Sequence, residues 1–287
     1  MNNRAPAGVV AGVDGSAHAE AAAEWAAQEA GRRDCALHLV HAVNTGTVTL
    51  SPRTGAAVTD LILRDAQTLL DEAQGKLRAA HPALRLTGDV VPRAAAEAVL
   101  TAAEHAELAV VGTRGHGGFA SLLLGSVSLR VVAHSTCPTV VVRGAPETGS
   151  RVLVAVRDER DTATLRFAVK CALGRGVPVE ALHTWSPVVA DVGHMAPMVD
   201  ELGEEERLHQ QLLRRTVEPV QEDYPEVEVV FRQLTGATAA TLVDASRHAA
   251  LLVVSRHAPA PHFGLRLGTS VHALLHHAHC PVAVVPV

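Results

Sequence analysis

Leu108–Arg143 reads LAVVGTRGHGGFASLLLGSVSLRVVAHSTCPTVVVR, and this stretch decides the fold. A short apolar run, Leu108–Val111, ends in Gly112, and further glycines stand at 115, 117, 118 and 125. Ser126 then precedes the periodic pattern Val127, Leu129, Arg130, Val131, Val132. Cys137-Pro138 closes that segment before the valine run 140–142. The pattern predicts strand, glycine loop, helix and buried strand, with Ser126 as the helix N-cap. A loop of this kind can wrap backbone N–H groups around a phosphate, and the following helix adds its partial positive charge. A glycine-rich turn without a ligand fits the same residue chemistry.

The spacing separates the two. Gly112, two residues, Gly115, nine residues, Gly125-Ser126 resembles the ATP-binding signature of the universal stress protein family, G-2x-G-9x-G-[S/T]. Other phosphate loops fit less well. No Gly-Lys-Ser/Thr of a Walker A loop is present. The match of Gly115–Ala120 to GxGxxG/A starts three residues past its strand, and the next strand ends in Arg143 rather than a ribose-binding acid.

The 287 residues suit two domains of about 140 residues, each large enough for a core. Four Phe, two Trp and one Tyr are the only aromatics, so those cores are built from Ala, Val and Leu. A formal charge of −5 gives no global bias towards nucleic acid. No apolar run approaches the ~18 residues of a membrane span, and the start MNNRAPAG lacks a signal peptide's apolar stretch. Four cysteines without CxxC spacing fit reduced thiols, so a cytoplasmic location is expected, with no nucleic-acid or membrane partner.

In order, Val9–Val13 reads as a strand ended by Asp14-Gly15-Ser16, then Ala17–Arg32 as an alanine-rich helix with Trp25 inward. A strand 37–43, a loop 44–57, a helix 59–80, a strand 84–91 and a helix 94–105 follow. The elements restart after GAPETGS: strand 151–156, helix 162–175, strand 179–185, helix 200–223, strand 227–233, helix 238–248 and strand 251–255. His183 repeats His41 at an offset of 142, and Cys280-Pro281 repeats Cys137-Pro138 at 143. This is an internal duplication, with domains at 1–143 and 151–287 and a linker at 144–150. Strands alternating with helices predict doubly wound parallel α/β sheets with helices on both faces. The resemblance implies two tandem five-stranded sheets in the order 3-2-1-4-5, an adenine nucleotide alpha-hydrolase-like architecture, with the halves pairing through their last strands.

Ligands of such sheets sit where the winding reverses, here between strands one and four. Asp14 and Gly112 end those strands. The resemblance implies that Asp14 contacts the nucleoside and that Ala42, after His41, lines the adenine pocket. Gly112, Gly115, Gly125, Ser126 and Val127 would form the phosphate cradle, and Arg114 and His116 are either its charge partners or simply exposed residues. Valine at the cradle glycines would add bulk and, at positive φ, strain. Arg93 follows a segment that departs from the family's Gly-x-Pro and is a further candidate for the cleft.

In the second half the signature decays. Positions 112 and 115 become Ser255 and Ala258, Gly268-Thr269 survives, and Asp158 is the acid nearest the missing one. Arg256 and Arg266 are the cations beside it. His272 and His276 share a helical face, but no third ligand completes a metal set, and none is expected. The resemblance therefore implies an ATP-binding regulator of stress or dormancy, with ATP, alone or with Mg, as cofactor. It would act through nucleotide-dependent conformation or an unknown protein partner, as a homodimer or an intramolecular pseudo-dimer. A slow ATPase and a nucleotide-independent scaffold are the alternatives. No catalytic residue set is apparent beside the loop.

Overall fold

A computed structural model of the chain describes residues 8–44, 52–115, 124–143, 149–186, 199–257 and 267–287, without the side chains of 52–57 and 199–202. It divides into two units, the first running to Pro146 and the second from Glu147.

The first unit begins with β1 (Val9–Val13), whose VVAGV sequence is buried on both faces. Asp14 Oδ1 accepts from the Ser16 N–H at 3.0 Å, and Ser16 Oγ accepts from the Ala19 N–H at 3.2 Å, capping α1 (Ala17–Arg32). Gly15 carries the turn at φ +79°, where a side chain would strain the backbone. Ala19, Ala22, Ala23, Ala26, Ala27 and Ala30 are buried with Trp25, so α1 presents a small-residue face to the sheet. The unit continues with β2 (Leu37–Ala42), α2 (Pro52–Ala80), β3 (Leu86–Val91), α3 (Ala95–Ala103), β4 (Leu108–Gly112), α4 (Ser126–His134) and β5 (Thr139–Val142). Its strands are parallel and ordered β3-β2-β1-β4-β5. The register Val9↔Leu37 and Val9↔Leu108 brings Asp14, Ala42 and Gly112 to the same carboxyl end of the sheet.

The second unit repeats this with β6 (Val152–Ala155), α5 (Thr162–Leu173), β7 (Val179–Trp185), α6 (Val199–Asp223), β8 (Val229–Thr235), α7 (Thr238–Ala245), β9 (Leu251–Arg256), α8 (Thr269–His277) and β10 (Val282–Pro286). Its order is β8-β7-β6-β9-β10, and Val152 pairs with Val179 and Leu251 as Val9 does with Leu37 and Leu108. A short 3₁₀ turn, Glu159–Asp161, precedes α5, so this helix starts later than its counterpart α1.

Three expectations shift. The segment read as a loop to residue 57 is already helical from Pro52, a residue suited to the first helical position because its missing N–H is not needed there. Gly125, not Ser126, caps α4; Ser126 is its first residue, and no side chain caps it. The helix read over 238–248 ends at Ala245 and tightens into a 3₁₀ turn over Ser246–His248.

The repeated histidines do the same work in both units. His41 Nδ1 lies 2.7 Å from the Val13 carbonyl and His183 Nδ1 lies 2.8 Å from that of Val156, each tying strand two to the end of strand one. His183 is further held by His209 at 2.9 Å, on which Trp185 stacks. Burial pushes the His183 pKa below its ordinary value, opposed by the Val156 hydrogen bond. The folded state then binds fewer protons than the unfolded chain between the lowered value and about 6.5. The stability contribution of neutral His183 is present above about 6.5 and is lost as pH falls through that window. His183→Gln is expected to flatten the fall in melting temperature between pH 7 and 5.5. Parallel melting curves for variant and wild type would remove His183 from that dependence.

Candidate functional site

At the carboxyl ends of β1, β2 and β4 lies a cavity of about 490 Å³. Asp14, Ala42, Gly112, Arg114, Gly115, Gly125, Ser126 and Val127 all line it. Eight of the nine residues singled out from the sequence thus meet in one hollow; His116 lies outside the described residues. Arg93 does not line it, and its Nη1 is 3.5 Å from Thr101 Oγ1.

One end is apolar: Val13, Val40, Ala42, Ala95, Val99 and Val111 form small, flat walls. Asp14, the only carboxylate among the lining residues described, lies against Gly115. The other end is the start of α4. The Gly125 N–H is spent on the Thr113 carbonyl at 2.7 Å, which closes the loop. The N–H groups of Ser126, Val127 and Ser128 open the helix and have no acceptor within it. Ser128 Oγ donates to the Gly112 carbonyl at 2.6 Å and fastens α4 to β4. Arg114 is half-buried, with Nη2 3.4 Å from His18 Nε2. Apolar walls, a carboxylate acceptor, open helix N–H donors and a cation around one cavity suit a nucleoside joined to phosphate.

The glycines divide the work differently from the sequence reading. A Cβ on Gly112 would lie 2.5 Å from the His18 carbonyl oxygen and 2.7 Å from its carbon, so close packing of α1 on β4 accounts for that glycine. A Cβ on Gly115 would overlap Asp14 Oδ2, which makes the second glycine a matter of the site. At Gly125 the nearest atom is 3.4 Å away, an ordinary contact. None of the three has positive φ, so the expected backbone strain does not arise.

Ser128, Ala19, Ala95 and Val99 were not singled out from the sequence, although all line the cavity. Their signal was positional: each stands near the start of a helix or on the helical face over the strand ends. A larger hollow of about 630 Å³ lies between α1 and α2. Glu20, Glu24, Asp65 and Glu72 line it against one cation, Lys76, so its charge repels phosphate. Among the described residues no group of three or more His, Cys, Asp or Glu is placed to hold a metal, and no helix is long and apolar enough to cross a membrane.

The model of the universal stress protein family matches this chain twice, over residues 8–143 and 149–286. The chain belongs to the universal stress protein family. Relatives align with it over nearly their whole length. A universal stress protein of Mycolicibacterium smegmatis is 31% identical over 97% of this chain and 96% of its own. One of Mycobacterium tuberculosis is 32% identical over 96% of both. The crystal structure of a universal stress protein from Archaeoglobus fulgidus aligns with a TM-score of 0.67 at 17% identity, covering 97% of this chain and 95% of that one, a likeness of fold.

The two universal stress protein repeats differ at the site. The second unit's cavity is smaller, about 320 Å³. The acid in it is Asp161, not Asp158, which does not line the cavity. Asp158 instead faces Arg160, whose hydrogen-bonded guanidinium holds its pKa down at about 2.

Proposed function

We propose that the first unit binds ATP and that occupancy of this site, rather than turnover, is what a stress or dormancy response in the cytoplasm reads. The observation that carries the proposal is the Gly115–Asp14 contact, a bare Cα against a carboxylate, inside a cavity that ends on the first turn of α4. A volume of about 490 Å³ lies within the roughly 300–1,000 Å³ of small-molecule sites. Asp14 accepts from the adenine amine or a ribose hydroxyl, and Val40, Ala42 and Val99 enclose the base. The opening N–H groups of α4 and Arg114 receive the phosphates. Among the described lining residues Asp14 is the only carboxylate, with no second acid beside it to act as base or to share a metal, which favours a binder over an efficient ATPase.

Calorimetric titration of the full chain tests this reading. One ATP per chain is expected, bound by the first unit. Asp14→Ala is expected to weaken ATP and adenosine alike, by about ten- to a hundredfold, the loss of a charge-assisted hydrogen bond worth about 1.5–3 kcal/mol. A loss confined to ATP would assign Asp14 to the phosphates or a metal. Two equivalent sites would overturn the asymmetry between the units.

A further inference from the structure

The outer strands of the two units differ, although the repeat aligns them residue by residue. Val179 pairs with Val229 as Leu37 pairs with Leu86, so Thr87 and Gly88 of β3 correspond to Val230 and Phe231 of β8. In the first unit α2 lies directly on that strand: a Cβ on Gly88 would be 2.5 Å from Gln74 Nε2 and 3.1 Å from Leu70 Cδ1. In the second unit Phe231 stands in the glycine's place, and a groove of about 200 Å³ opens between it and α6, with Leu213 in its wall. Val230 is 42% and Phe231 39% exposed, on opposite faces of the strand. β8 runs for seven residues, VVFRQLT, with a single charge and neither glycine nor proline, so little in it keeps a sheet edge from pairing.

The backbone and the charges say what such an edge fits. The Glu228 carbonyl accepts from the Val179 N–H and the Gly236 N–H donates to the Trp185 carbonyl, both at 2.9 Å, so even-numbered residues turn their backbone groups to β7. Val229, Phe231, Gln233 and Thr235 turn theirs to the outer side, where no strand of the described residues pairs. Glu228 and Arg232 share the face of Val230, two residues to either side of it. Glu228 is exposed and has no ion pair among the described residues. Arg232 lends Nη1 to the buried Glu180 at 2.9 Å, but Arg151 holds the same carboxylate, so two cations share one anion and a positive charge is left over. Acid, valine, cation is a sequence that complements itself when reversed.

We propose that β8 pairs antiparallel with β8 of a second copy of this chain, about a two-fold axis at Val230. Two identical strands related by a two-fold axis in one sheet run antiparallel, and each contributes the same patch. In this register Glu228 of each copy faces Arg232 of the other, and Val230 faces itself. The outward groups of Phe231 then exchange hydrogen bonds with those of Val229 in the other copy, in the pattern of a closely paired antiparallel ladder. A register centred on Phe231 would instead set Arg232 against Val230 and Glu228 against Leu234, so charge selects the first. The added strand covers Val230 and Phe231 from the open side. It involves the second unit alone, away from the cavity at β1 and β4, and so does not depend on what that cavity binds.

Sedimentation equilibrium of the full chain over the micromolar range tests the proposal, and a dimer is expected. Glu228→Lys sets cation against cation, and Val230→Lys sets two lysines face to face. Each is expected to raise the dimer's dissociation constant by about tenfold or more. Both side chains are exposed, so circular dichroism of the variants should match the wild type. Phe231→Pro removes an N–H that points away from β7, and it should abolish the dimer while the unit stays folded. Val230→Cys is expected to cross-link two chains on oxidation beyond the wild-type level, because opposed residues of a non-hydrogen-bonded pair have Cα atoms about 4.5 Å apart. Phe231→Cys should not. A wild-type chain that stays monomeric throughout, as it would if this edge served a strand of another protein, would overturn the proposal. So would a dimer indifferent to both lysines, or cross-linking through Phe231→Cys in place of Val230→Cys.

Discussion

Gly112→Val is expected to lower the melting temperature of the first unit by roughly 6–12 °C, from a loss of about 3 kcal/mol at about 2–4 °C per kcal/mol. The added Cβ would meet backbone, with the His18 carbonyl oxygen at 2.5 Å, its carbon at 2.7 Å and the Ala19 nitrogen at 3.1 Å. That turn of α1 cannot swing aside cheaply. Ser16 caps it, and Ser16 Oγ also reaches the Arg114 carbonyl at 3.4 Å. Either α1 lifts from β4 along its alanine face or the end of β4 distorts. Gly75→Ala is the matched control: Gly75 sits in α2 with nothing within 4 Å, and alanine there should be neutral or stabilising by up to about 1 kcal/mol. Equal melting curves for the two variants would contradict the packing account of Gly112.

Gly115→Val should do the reverse, leaving the melting curve near wild type while ATP affinity falls on the order of a hundredfold. Here the obstructed atom is the end of a side chain, so the fold yields by turning Asp14 out of place. The loss combines the Asp14 contact, about 1.5–3 kcal/mol, with bulk in the cavity. Because the two residues touch, their effects should not add. The double variant Asp14→Ala with Gly115→Val is expected to bind little worse than Gly115→Val alone. Fully additive losses, or unchanged binding by Gly115→Val, would show that residue 115 does not act through Asp14.

These two glycines belong to one signature and look equivalent in the sequence. Only the approach of α1, which begins almost a hundred residues earlier, makes Gly112 a packing residue and leaves Gly115 to the site. The same limit explains Ser126. A serine ahead of an apolar pattern reads as a cap, but the cap position falls where Gly125 donates to the Thr113 carbonyl, a contact set by loop closure. Asp161 shows it most plainly. Along the chain Asp158 is nearer the strand end, yet the 3₁₀ turn carries Asp158 out to Arg160 and brings Asp161 inward to Ser255 and His257.

What the sequence determined by itself was the repeat and the alternation of strands and helices, which depend on local periodicity and are stated twice by the duplication. The strand order, and with it the meeting of Asp14, Ala42 and Gly112 at one end of the sheet, followed from the family resemblance of the glycine signature, because uniformly apolar strands covered on both faces carry no mark of which neighbour they pair with. What only the tertiary structure decided was how each chemical group is used: which glycine makes room for a helix, which makes room for a carboxylate, and which acid of the second unit faces its cavity. Such outcomes turn on contacts of a few ångströms between segments distant in sequence, and no local pattern records a distance of that kind.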